Sequence, residues 1–144
     1  MRILAIAVAL GMFVFTPTYA STATCPLSKE RAAGDAIDFL GNWQRIYEVY
    51  KKYRTCDDGY IAEGFSDGVS TLLAKHWDAT PRLLAFTHTD RDFEQFVLRH
   101  VDATVAEDQP RLILDNARHQ CPNGALVFCK ALEQKAAEAI EELK

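Results

Sequence analysis

The chain has 144 residues, 49% apolar and 25% charged, with 16 Lys and Arg against 20 Asp and Glu and a formal charge of −4. That length suits a single domain, and the lack of any Lys/Arg stripe argues against nucleic acid as a partner. Mild acidity instead favours a partner with a basic surface.

Met1 and Arg2 form a short positive start, and Ile3 to Phe15 is an apolar run broken only by Gly11. Then comes "TPTYA", which puts Thr18 and Ala20 at the −3 and −1 positions of a cleavage site before Ser21. These three parts predict a signal peptide over residues 1–20, cleaved after Ala20, and a periplasmic or secreted mature domain over residues 21–144. The apolar run is shorter than the roughly 20 residues a bilayer span needs, and no later segment offers a span. Losing Arg2 moves the formal charge from −4 to −5.

The four cysteines, Cys25, Cys56, Cys121 and Cys129, all follow that segment. An even number in an oxidising compartment predicts two disulfides. Three pairings are open. "CPNGALVFC" reads as a helix end, a turn and the start of the next helix, which favours Cys121–Cys129 and leaves Cys25–Cys56 to tie back the N-terminal segment. A zinc site would want close pairs such as Cys-x-x-Cys, and there is none.

Leu27 to Asp38 is alanine-rich but holds Gly34, which predicts a weak helix or helix-loop. Phe39, Trp43, Ile46, Tyr47 and Tyr50 recur at helical spacing, so a second helix should run to about Tyr53–Thr55. "CDDGYIAEGFSDGV" follows: Asp57 or Asp58 can cap a helix continuing to about Lys75. Gly64 and Gly68 share one face of it. Each costs roughly 1 kcal/mol relative to alanine, a cost offset if a neighbour packs close, and the Trp43/Tyr47/Tyr50 stripe is the expected neighbour. Glu63 and Asp67 sit on the flank, a like-charge pair worth about 0.2–0.5 kcal/mol of repulsion. Pro81 marks a helix start after Thr80, and Pro110 another near Asp108. "HTDRDFEQFVLRHV" places Thr89 as a cap with Asp92 completing a capping box. An alanine-, leucine- and glutamate-rich helix closes the chain. Nothing alternates at period two. The prediction is an all-α, single-domain bundle of about five or six helices stapled by disulfides.

His76 and His100 each fall on an apolar helical stripe and should be core histidines. His88 belongs to a cap or turn, and His119 ends a helix. No His-x-x-x-His, Gly-x-Ser-x-Gly or phosphate loop occurs. The expectation is therefore a non-enzyme with no catalytic residue, cofactor or metal ligand.

The cysteine followed by Gly59-Tyr60-Ile61, the small and acidic residues after it, and the late Cys121 in "HQCPNGALVFC" resemble the Rap1a/Tai group. Those are periplasmic immunity proteins that protect bacteria from type VI secretion amidase effectors. The resemblance spans about half the mature chain, and "LLAKHWDATPRLL" stands where that pattern has a second cysteine. It implies a protein that occludes a cell-wall-degrading enzyme, often as a homodimer. Candidate partner-binding residues are Asp57, Asp58, Glu63, Asp67 and Trp77, although Trp77 also reads as an edge of the core. The alternatives are a general periplasmic binding or chaperone-like module and, third, a small hydrolase.

Overall fold

The computed structural model describes residues 25–144, so the expected signal peptide lies outside the described residues. Among the described residues seven α-helices follow one another: α1 (Leu27–Ile37), α2 (Trp43–Tyr53), α3 (Gly59–Lys75), α4 (Thr80–Thr87), α5 (Arg91–Arg99), α6 (Asp108–His119) and α7 (Leu126–Glu142). Single 3₁₀ turns, Arg54–Cys56 and Trp77–Ala79, lead into α3 and α4. Among the described residues there is no strand. The count exceeds the expected five or six. Leu27–Ile37 completes a helix around Gly34, and the short α4 stands apart from α5. Burial of Ala33 and Ala36 explains α1: packing rather than propensity supplies most helix stability in proteins.

Both disulfides form in the expected pairing. Cys25–Cys56 pins the start of α1 to the turn before α3, and Cys121–Cys129 closes the α6–α7 hairpin. Pro81 and Pro110 each lie in the first turn of their helix, where a missing N–H has no helical partner to lose. The cap of α5 differs from the expectation. Asp90, not Thr89, accepts the Phe93 amide at 3.0 Å, while the Thr89 hydroxyl donates back to the Phe86 carbonyl. Thr89 thus finishes α4 and Asp90 begins α5.

Helix α3 is the axle of the bundle. Ile61, Phe65, Val69, Leu72 and Leu73 are buried on it. On one side Phe65 meets Phe96 of α5 edge-on with ring centres 4.9 Å apart. The cluster continues through Tyr50, Phe93, Tyr47 and Phe86. Such ring pairs add about 0.5–1.5 kcal/mol each beyond area burial. Towards α6, buried Asn116 donates to the Leu73 and Ala74 carbonyls, which ties the α6–α7 hairpin to α3.

The glycine face of α3 meets a different neighbour from the expected one. A Cβ on Gly64 would press on Ile37 of α1, and one on Gly68 on Leu40 of the α1–α2 link. The Tyr47 and Tyr50 rings instead face Phe86, Phe93 and Phe96. Two more expectations change. Asn42 caps α2 by accepting the Arg45 amide, so the helix starts at Trp43 and Phe39 is left in the link, 71% exposed. His76 lies at the C-terminal end of α3 and is exposed rather than core. His100 is buried as expected.

Candidate functional site

The segment that opens α3 has two adjacent aspartates with opposite fates. Asp58 is the N-cap and accepts the Gly59 amide at 2.8 Å. Gly59 has φ +52°, a left-handed backbone that costs a residue with a Cβ about 1–2 kcal/mol. That turn sends Asp57 inward. Its carboxylate lies 3.1 and 3.3 Å from His100 Nε2 and 3.5 Å from the Arg99 guanidinium. Asp57 is therefore not the free surface acid expected of it, because its carboxylate is paired with His100 and Arg99 at the end of α5.

His100 ends α5, and its other ring nitrogen, Nδ1, is 3.0 Å from Ser66 Oγ of α3. Ser66 in turn donates to Asp102 at 2.7 Å, and Asp102 accepts the amide and hydroxyl of Thr104. Burial pushes the Asp102 carboxyl up, but the Thr104 and Ser66 hydrogen bonds and the nearby His100 outweigh it and hold it below the usual carboxylate range. The Ser70 hydroxyl donates to the His100 carbonyl.

A serine, a histidine and two aspartates are thus linked in space, a set that no short motif could mark because it is scattered from Asp57 to Asp102. A serine nucleophile must hand its proton to a base and reach a substrate. Ser66 is 1% exposed, and its single proton is directed at Asp102, which as a carboxylate can only accept. In this geometry the chain Asp57–His100–Ser66–Asp102 joins α3, α5 and the two flanking loops. Among the described residues no group of three or more His, Cys, Asp or Glu is placed to hold a metal ion.

The remaining candidates divide clearly. Trp77 is half-buried against the core and donates its indole N–H to the Gln120 carbonyl at 2.8 Å, which matches the core-edge reading. Glu63 and Asp67 are exposed. Among the described residues neither has a lysine, arginine or histidine within 4.0 Å, and the same holds for Asp38.

Asp67 and Asp38 lie on an open cleft of about 430 Å³ between α3 and the α1–α2 link. Ile37, Leu40, Gly68 and Leu72 supply its apolar lining, Thr71 and His76 its polar side, and Phe39 its lip. Nothing in the sequence marked this cleft. The helical spacing of Phe39 suggested burial, and only the position of the Asn42 cap shows otherwise. Elsewhere, Leu126 and Val127 at the start of α7 are 66% and 83% exposed. No protein family model, no curated protein and no solved structure matches the chain.

Proposed function

We propose that this chain is an exported binding protein that acts by occluding a basic partner protein, in the manner of an immunity protein against a cell-wall-degrading effector. The observation that carries the reading is the set of exposed, unpaired carboxylates at Asp38, Glu63 and Asp67. Among the described residues other exposed acids, such as Asp35, Asp78 and Asp92, are also without a basic partner within 4.0 Å, so what sets this group apart is its place: Asp38 and Asp67 line one cleft, with Glu63 one turn away on α3. An acid row left without counter-charge suits association with a positive surface, where complementarity raises the on-rate and sets orientation more than it adds affinity. The two disulfides fit an oxidising compartment.

The test is capture from envelope and secreted fractions with oxidised Ser21–Lys144, alongside a Glu63→Lys/Asp67→Lys variant. One dominant protein lost with the variant, whose cell-wall hydrolysis is blocked by the wild-type chain, is the expected result. Binding unchanged by charge reversal would refute the role of the acid row. A captured protein whose activity is unaffected would refute occlusion. Leu126 and Val127 favour a second reading, a general chaperone-like module, which predicts many weak partners that are insensitive to the acid row.

A further inference from the structure

We propose that the cleft between α3 and the α1–α2 link is the docking surface itself, and that its occupant is a Lys/Arg-rich segment of a partner protein that inserts one bulky apolar side chain. The proposal rests on the binding reading above and adds the place and chemistry of contact.

Three features of the cleft select that occupant. First, its floor is apolar and fixed. Leu40 is 7% exposed and packs onto Gly68, so the link cannot collapse inward to fill the space. An apolar side chain entering there removes its own surface and part of Phe39 from water at about 25 cal/mol per Å². Second, the cleft carries an aromatic lip that an occupant would cover. Phe39 is 71% exposed beside an open concavity, the geometry of an aromatic anchor that closes over an inserted group. Third, among the described residues the carboxylates lining the cleft are Asp38 and Asp67, with Glu63 one turn before Asp67 on α3, while no lysine or arginine lines it and His76 is its one basic group. An acidic or neutral segment would gain nothing from that rim, whereas a cationic one meets it at both sides.

The fold also supplies a clean way to close the cleft. A Cβ at Gly41 would meet nothing within 4 Å, and its backbone is outside the left-handed region. Gly41 is itself one of the cleft's lining residues, so Gly41→Trp adds bulk at the cleft with no contact for the new Cβ to strain. The probe is a short lysine-rich peptide with one central phenylalanine, added to the oxidised Ser21–Lys144 chain and followed by amide NMR shifts. A second peptide has glutamine for lysine.

The expected result is saturable binding of the cationic peptide, with shifts confined to residues 37–41 and 67–76. Gly41→Trp should weaken it roughly tenfold or more, as loss of a central contact does, with an unchanged melting temperature. Asp38→Asn and Asp67→Asn should each weaken it about two- to five-fold, the range of an exposed ion pair. Absence of binding, shifts elsewhere, equal binding of the glutamine peptide, or indifference to Gly41→Trp would each overturn the proposal. Dimerisation of the chain that is lost in Gly41→Trp would overturn it in favour of a second copy as occupant. If the partner from the capture experiment is retained by Gly41→Trp but lost with the Glu63→Lys/Asp67→Lys variant, the binding reading survives and this cleft does not.

Discussion

The α1–α3 contact gives the sharpest test of the packing argument, because two glycines there, Gly64 and Gly34, face different kinds of neighbour. At Gly64 an added Cβ would lie 3.0 Å from Ile37 Cβ and Cγ1 and closer still to Cδ1. Ile37 Cβ is fixed by the backbone of α1, so relief requires the two helices to separate. At Gly34 the obstacle is the Tyr60 hydroxyl at 2.7 Å, the far end of an exposed side chain that can swing away at little cost. Replacing glycine by alanine inside a helix gains up to about 1 kcal/mol, and overpacking a fixed contact costs about 1–3 kcal/mol. Gly64→Ala should therefore destabilise by about 1 kcal/mol net, whereas Gly34→Ala should be neutral or stabilising by up to about 1 kcal/mol. A difference of about 2 kcal/mol is roughly 8 °C in melting temperature for a domain of this size. Parallel thermal and urea unfolding of the two variants measures it. Equal shifts, or a Gly64→Ala chain more stable than wild type, would refute the close-packing account of the glycine face.

The loop closed by Cys25–Cys56 spans 31 residues and that of Cys121–Cys129 spans 8. Loop-entropy scaling gives about 3.7 and about 2.5 kcal/mol respectively, so a Cys25→Ala/Cys56→Ala chain should unfold at lower urea than a Cys121→Ala/Cys129→Ala chain. The reverse order would show that strain or residual structure outweighs loop length. Ser66→Ala should cost about 1–3 kcal/mol, since it leaves the buried His100 Nδ1 without its partner and takes one hydrogen bond from the part-buried Asp102; a urea midpoint equal to wild type would show that the link adds no stability. Burial pushes the Asp90 carboxyl up, yet the Phe93 amide, the Tyr47 hydroxyl and Lys51 together hold it below the usual range. A depressed carboxyl contributes stability above its unfolded value near pH 4 and loses that contribution as pH falls through the folded value. Asp90→Asn keeps a good cap, so the wild type should be the more stable at pH 7 and the two chains should converge as pH drops below about 4. A constant difference across that range would remove the charge from the explanation.

Local signals carried most of the fold into view. Helical periods of apolar residues, Asp58 before Gly59, and the prolines in first turns specify helices through contacts within a few residues, and these elements are present. The Cys121–Cys129 pairing was legible for the same reason, being two turns across one hairpin. What the tertiary structure decided lies between residues far apart in the chain. Asp57 and Asp58 are chemically alike, and only the fold gives Asp57 His100 and Arg99 of the α5 end as partners while Asp58 stays a cap. Phe39 has the spacing of a core residue, but Leu40 seats on Gly68 and Asn42 starts α2, so the ring is turned out over a cleft. His100 reads as a core histidine from its helical stripe, but its partner Ser66 comes only from the way α3 and the end of α5 lie against each other. Propensity and periodicity act along the chain and are written in neighbouring residues. Which side chain faces which, and which space stays open, depends on how whole helices cross, and packing alone settles that.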